Sequence, residues 1–384
     1  MALFPSHVAL GDDHMALVQA ARDFARGELL AMDRRWDEDE SSAIEALPAL
    51  AEMGLLGLLV PEALNGLGCS YSIYAAILHE IAVFSPSSCV TIAVHSMVGD
   101  ILNRYVQGSN RKEWLAAWGT AESLGAFALS EAGAGSDAAG VKTTALKAHG
   151  GYVVNGEKMW ITNGLNCRWL LTLARRPEIN EGRGLCALLV DARSPGIEQT
   201  KIRGKMGIRG SETAVVHYAD VFVPEDHLIG EPDQGLEVFL SSLNEGRVGI
   251  AAQATGIAEA CLTEMVSYAR QREQFGKPIG KFQGVADMIA SSAVELEASK
   301  GLVWRAACRI DLGDTDRTAS SMAKAYASEA ANRIAYRAVQ VHGGTGYVHE
   351  CRVEQLYRDA RVTTIYEGTS EIQRIVIARE LNRV

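Results

Sequence analysis

Along the first 120 residues, apolar side chains recur at three- and four-residue spacing. "MALVQAARDFARGEL", from Met15, predicts an amphipathic helix. "PALAEMGLLGLLVPEALNGLG", from Pro48, predicts a short helix broken by Gly and Pro. Ser70 to Val106 predicts two apolar helices joined near Pro86. Near residue 123 the period shortens. "GYVVNGEKMWITNG" carries Asn155-Gly156 between two β-prone runs and predicts a hairpin there. "CALLVDARSPGIEQ" and "TAVVHYADVFVPEDHLIG" add strands, so the middle region is expected to be a compact antiparallel β-barrel or sandwich. From 236 the helical period returns over 236–271, 283–312, 316–342 and 369–382. At ~1.5 Å per residue a thirty-residue helix spans ~45 Å, which suits a long four-helix bundle. The expected class is α+β multidomain: an N-terminal helical domain (1–122), a middle β-domain (123–231) and a C-terminal bundle (232–384).

Composition narrows the function. The 384 residues are 48% hydrophobic, enough for two or three sizeable cores. A net charge of -10 argues against a general nucleic-acid or anionic-membrane binder, and no apolar run is long enough to span a bilayer. The seven cysteines are scattered, without CxxC, and fit small core residues in a reducing compartment. The histidines lack metal spacing, so no metal is expected. The first 24 residues have early acids and no basic n-region, unlike a secretory signal. The expectation is a cytoplasmic protein, or a matrix enzyme whose presequence has been removed.

Several stretches carry candidate chemistry. "FALSEAGAGSDAAG" (127–140) is a Gly-rich turn whose amides suit an anion, with Ser130 and Ser136 as hydroxyl donors. It lacks the Walker lysine, the Rossmann glycine spacing and the GxSxG elbow. Trp160-Ile161-Thr162 could stack on a flat ring and bond its edge, or simply fill a core. "QVHGGTGY" (340–347) allows close backbone approach, or stops a helix. Arg272 and Gln283 flank a Pro/Gly turn and suit phosphate or adenine, or a solvated corner. In "TTIYEGTSEIQR" (363–374) a lone acid, Glu367, stands between a ring and a glycine. The β-branched run before it is expected to be extended, and Thr369 or Ser370 to cap a helix bearing Arg374 and Arg379. An acid favoured by the positive end of that helix is the simpler explanation.

Taken together, "FALSEAGAGSD", "WITNG", "GIRGSET", "QREQFGKPIGKFQ", "QVHGGTGY" and "YRDARVTTIYEGTSEIQRIVIAR" resemble the acyl-CoA dehydrogenase family, in its order and spacing over nearly the whole chain. The C-terminal half looks most like the short-chain, butyryl-CoA branch. The resemblance implies FAD-dependent α,β-dehydrogenation of a short- or medium-chain acyl-CoA to the trans-2-enoyl-CoA, with electrons passed to an electron-transferring flavoprotein. An oxidase delivering electrons to oxygen and a non-catalytic acyl-CoA-binding protein are the alternatives. It implies a homotetramer, a dimer of dimers, with the ADP end of FAD reaching a neighbouring subunit. Phe127, Leu129, Ser130, Ser136, Trp160, Ile161 and Thr162 would hold the flavin ring and pyrophosphate. Arg272, Gln283, Gln340, Gly343 and Gly344 would contact FAD across the subunit interface, with Thr369 and Glu371 beside the cofactor. Ser136, Arg247, Gly368 and Arg379 would touch the CoA thioester, joined by Asn244 where the family commonly has Asp. Ala132 stands where the family usually has Pro. Glu367 would be the catalytic base. Some branches place the base at the position of Gly246, which makes the adjacent Glu245 the rival; one residue turns a helical side chain by ~100°, so Glu245 is expected to point elsewhere.

Overall fold

The structure, a computed structural model, describes residues 11–314 and 316–382; residues 1–10 of the N-terminal segment read above lie outside the described residues. Six helices open the chain: α1 (Asp12–Phe24), α2 (Leu30–Asp39), α3 (Leu47–Glu52), α4 (Tyr71–Phe84), α5 (Pro86–Tyr105) and α6 (Gly108–Trp118). The break between α4 and α5 is set by sequence. Ser85 caps α5 by accepting from the Ser88 amide, and Pro86 occupies the first helical position, where a missing N–H costs nothing.

Eight strands follow: β1 (Gly125–Ala128), β2 (Thr144–Ala148), β3 (Gly151–Thr162), β4 (Trp169–Arg176), β5 (Gly184–Asp191), β6 (Ile197–Lys201), β7 (Thr213–Pro224) and β8 (Leu228–Ile229). They form one sheet of order β6-β7-β3-β2-β4-β5-β8, with β1 added on β4. This corrects the expected barrel or sandwich: the sheet is open, ending on short strands β6 and β8. It also contains parallel pairs, β1 with β4 and β2 with β4, where antiparallel pairing alone was expected. The Asn155-Gly156 hairpin is corrected too. Both residues lie inside the continuous strand β3, at a register shift against β7. Asn155 Nδ2 donates to Asp220 Oδ1 (3.0 Å) and its Oδ1 accepts from the Asp220 amide (2.8 Å), so its side chain locks a bulge instead of closing a turn. The real β2–β3 hairpin turns at His149-Gly150.

The remaining helices are α7 (Gly235–Gln271), α8 (Gln283–Asp311), α9 (Thr318–His342), α10 (Arg352–Val362) and α11 (Ser370–Leu381), with a small hairpin, β9 (Glu273–Gln274) and β10 (Lys277–Pro278), after α7. Helix α10 is an addition to the four expected. The "TTIY" run is a turn following α10, not an extended segment.

Helix α7 is the axis. Every residue from Arg247 to Cys261 is buried, because α4, α5, α8 and α9 surround it. One hydrophobic core therefore runs from Val18 in α1 to Ala360 in α10 and joins both helical regions. Inside it, His79 Nε2 lies 3.1 Å from Glu259 and Lys300 Nζ 2.6 Å from the same carboxylate. Burial opposes the charge on Glu259, but these two partners hold its carboxyl well below the usual range. Helix α7 packs tightly on α4 at Gly256, where an added Cβ would sit 2.5 Å from the His79 carbonyl oxygen and 2.6 Å from Ala82 Cβ. Backbone cannot give way there. Gly256→Ala is expected to cost ~1–3 kcal/mol through overpacking, read as a lowered thermal midpoint; an unchanged midpoint would show that the two helices are not held this closely.

Candidate active site

The Gly-rich turn after β1 is fastened to β3. Lys158, fully buried, bonds Glu131 (2.8 Å) and the Leu129 carbonyl (3.0 Å), and the Met159 amide bonds the Ser130 carbonyl (2.8 Å). Glu131 also accepts from the amides of Lys142 and Thr143, closing the loop on itself. Ser136 is exposed at its tip. Directly beyond this anchor, β3 bulges again between Lys158 and Ile161. The bulge puts Trp160 at φ 65° and leaves its ring 56% exposed, while Ile161 turns into the core.

Trp160 and Thr162 line a cavity of about 570 Å³. Its other walls come from the loop at 202–208, from Val90 of α5, from Arg358, Arg361 and Val362 of α10, and from Ile365 and Tyr366. The loop is pinned from behind: Asp359 Oδ1 accepts from the Ile208 amide. The lining is mostly apolar, with the cations Arg203 and Lys205 from the loop and Arg358 and Arg361 from α10, Arg358 being paired with Asp37 and Glu354, and an exposed indole stands on one wall. Such a site suits a large planar ring bearing anionic substituents.

Glu367 lies on the next residue after Tyr366. Tyr366 bonds Gln253 of α7 through its hydroxyl. Glu367 and Gly368 both have positive φ, 52° and 84°, and this reverses the chain so that the carboxylate faces α7. A Cβ on Gly246 would lie 2.7 Å from Glu367 Oε2 and 3.0 Å from Met97 Sδ. Only glycine leaves room for the acid there. Glu367 Oε2 is sealed from solvent and has no hydrogen-bond partner among the described residues. Burial pushes its carboxyl up to about 7, with Arg247 and Lys324 pulling the other way. A carboxylate of this kind is a competent base near neutral pH.

The substrate-side residues divide. Arg247 is buried, donates to Ser321 (3.2 Å) and leaves its Nε unpaired; burial lowers its guanidinium to about 10 and Glu367 raises it. Asn244 is buried and accepts from Ser320. Gly368 is in the turn itself. Arg379 is exposed at the far end of α11, and Glu371 is exposed in its first turn. Thr369 caps α11, accepting from the Ile372 amide (3.3 Å). Glu245 pairs with Arg104 of α5 at 3.5 Å, away from the site that Gly246 faces.

Arg272, Gln283, Gln340, Gly343 and Gly344 form an exposed group at the other end of α7. Twenty-six residues separate Gly246 from Arg272, ~39 Å along the helix, so one chain does not bring them to Glu367. Sequence reasoning missed Lys324, Gln373, Met97, Tyr74 and the cavity-lining Arg358 and Arg361. For Lys324 the only signal was a lone cation in the Ala/Ser-rich "SSMAKAYAS".

Family models for the N-terminal, middle and C-terminal domains of acyl-CoA dehydrogenase match residues 11–122, 126–221 and 233–382. The chain is 40% identical to the mitochondrial short-chain specific acyl-CoA dehydrogenase of Rattus norvegicus, over 98% of this chain and 92% of the relative. It is also 40% identical to a subunit, CarC, of the caffeyl-CoA reductase–Etf complex of Acetobacterium woodii, over 93% and 95%. Among solved structures it is similar to butyryl-CoA dehydrogenase from Megasphaera elsdenii, at TM-score 0.94 and 33% identity, covering 98% of this chain and 99% of that one. With the same three-part organisation and matches along its whole described length, this chain belongs to the acyl-CoA dehydrogenase family.

Proposed function

We propose that this protein is an FAD-dependent dehydrogenase of short, plain aliphatic acyl-CoA thioesters, yielding the trans-2-enoyl-CoA and passing electrons to an electron-transferring flavoprotein. The carrying observation is the Glu367 carboxylate oxygen Oε2, sealed from solvent beside Gly246 and without a hydrogen-bond partner among the described residues. Relatives named as short-chain acyl-CoA dehydrogenase and as an Etf-complex subunit support the reaction and the acceptor.

The α-hydrogen of a thioester is weakly acidic, so it needs a base held against it. Glu367 takes that proton at Oε2, where no competing donor neutralises it. Bound FAD supplies the electron sink for the β-hydrogen, which leaves as hydride. Trp160, Thr162 and the 202–208 loop would hold the flavin ring in the cavity they line, with Phe127, Leu129, Ser130 and Ser136 on the anchored Gly-rich turn beside it. Preorganised backbone donors, the Glu367 amide among them, would steady the developing enolate oxygen. Asn244 and Arg247, buried within one helical turn of Gly246, and Gly368 would line the thioester path.

The exposed group around Arg272 supports a homotetramer in which one subunit completes the FAD site of another. The division at 1–122, 123–231 and 232–384 is our reading of the domains; the change from helix to strand between Trp118 and Gly125 supports it. A reducing compartment, cytoplasm or mitochondrial matrix, is supported by seven free cysteines.

The acyl pocket should be aliphatic. Val90, Val94 and Ile250 cluster with Tyr366 and Phe127. The nearest cation on α5, Arg104, is already paired with Asp100 (2.8 Å) and Glu245. An acyl carboxylate would find no free cation on α5, and burying it unpaired there is very costly.

Glu367→Gln is expected to retain FAD and lower the rate of anaerobic flavin bleaching by ~10²-fold or more, while Glu245→Gln keeps most activity; reversed effects would move the base to Glu245. In the unsubstituted enzyme the rate should rise as pH climbs through about 7, because below it Glu367 already holds a proton and cannot accept another. Gly246→Ala should displace the carboxylate and slow bleaching by ~10²-fold, and a full-rate Gly246→Ala enzyme would contradict the proximity on which the assignment rests. Bleaching across saturated acyl-CoAs of different lengths should strengthen by ~0.8 kcal/mol per accommodated methylene, then fall at the pocket floor. Preferential turnover of glutaryl-CoA with release of carbon dioxide would rule out an aliphatic pocket.

A further inference from the structure

The turn that carries Glu367 is held by two side chains from elsewhere in the fold. Lys324, midway along α9 and fully buried, donates from Nζ to the Gly368 carbonyl at 2.6 Å. Gln373 of α11, also fully buried, donates from Nε2 to the carbonyls of Gly368 (2.9 Å) and Glu367 (3.1 Å). The Ser370 amide closes the loop on the Thr364 carbonyl at 3.0 Å. A non-glycine residue at φ 52° is strained, and it persists where its surroundings over-determine it.

Gln373 is enough to satisfy these carbonyls. The lysine adds something a neutral donor does not. An ammonium buried against a carbonyl, with no carboxylate bonded to it among the described residues, is costly to keep charged. A methionine would fill the same slot in this Ala/Ser-rich helix without that penalty. Among the anions that act on this ammonium, the carboxylate on the same turn comes first, ahead of Glu371 and Glu329.

We propose that Lys324 is a positioning residue for the dehydrogenation: bonded to the Gly368 carbonyl, it fixes the turn that carries Glu367 and keeps a positive charge behind that carboxylate. This rests on Glu367 being the base. The groups that face Glu367 are Arg247 from α7, Lys324 from α9, Tyr74 from α4, Tyr366 from its own turn and the uncharged Met97 from α5. From α11, Glu371 bears on Lys324, as does Glu329 of α9. The two cations are the groups that stabilise ionised Glu367. Arg247 faces the expected thioester path and would be occupied there, so Lys324 is the standing counter-charge. Burial lowers its own ammonium to about 8, with Glu367 pulling it back up.

Removing the Lys324 charge leaves burial less opposed, so Glu367 holds its proton to higher pH. In the flavin-loaded enzyme, Lys324→Met and Lys324→Gln should move the acid limb of the bleaching rate upward by about one pH unit. The rate should drop several-fold at pH 7 and recover towards that of the parent near pH 9. The carbonyl-stretch band of protonated Glu367, identified by its loss in Glu367→Gln, should titrate with the same displacement in infrared difference spectra. Lys324→Gln keeps a donor for the Gly368 carbonyl, so an equal displacement in both variants assigns the effect to charge. An acid limb and infrared titration unmoved in either folded variant, or a rate lowered equally at every pH, would overturn the proposal. Fast bleaching by Glu367→Gln would remove the base assignment itself, and the proposal with it.

Discussion

The organisation of this protein depends on one constraint: a carboxylate without a hydrogen-bond partner has to be buried against a helix, and it fits only where that helix has no side chain. Gly246 provides the gap, and the left-handed turn at Glu367 and Gly368 aims the acid into it. An uncompensated buried charge is costly. Two cations on neighbouring helices, Arg247 and Lys324, reduce that cost without bonding the reactive oxygen. The result is an acid poised near neutrality and left free to accept a proton.

The rest of the fold keeps this arrangement in register with a second site. Helix α7 carries Gly246, Arg247 and Gln253, and its buried glycines let α4 pack closely enough to fix its position. Tyr366 bridges the two sites: its hydroxyl bonds Gln253 and its residue lines the cavity shared with Trp160 and Thr162. On the sheet side, the Lys158–Glu131 pair and the bulge at Trp160 hold the indole at the cavity wall. The geometry of the candidate site is thus shared between a strand, turns and helices far apart in sequence.

Much of this was legible in the chain. The helical period located α4, α5, α7, α8, α9 and α11, because apolar residues recur along each at three- and four-residue spacing. Helix α10 was not separated from its surroundings, since "RVEQLYRDARV" is charged and its buried Arg358 and Asp359 satisfy partners elsewhere, Asp37 and the Ile208 amide. Asn155-Gly156 misled because local turn chemistry cannot reveal a distant strand. Asp220 of β7 captures the Asn side chain, and the Gly is needed where a Cβ would meet Thr143 at 2.6 Å. The open edge of the sheet was likewise invisible, because alternation fixes which face is buried and not which strands remain unpaired. Glu367 could be singled out from "IYEGT" and its resemblance. Lys324 could not: a lone lysine in an Ala/Ser helix reads as solvated, and its burial arises from a turn 44 residues onward.

The central claim is that Glu367 Oε2 exchanges the substrate α-proton. The most direct measurement is α-hydrogen exchange in deuterated water, followed by NMR on a saturated acyl-CoA analogue that binds but cannot be oxidised. The account predicts steady exchange with the unsubstituted enzyme and with Glu245→Gln, and none above background with Glu367→Gln. Exchange that survives in Glu367→Gln and disappears in Glu245→Gln would contradict it.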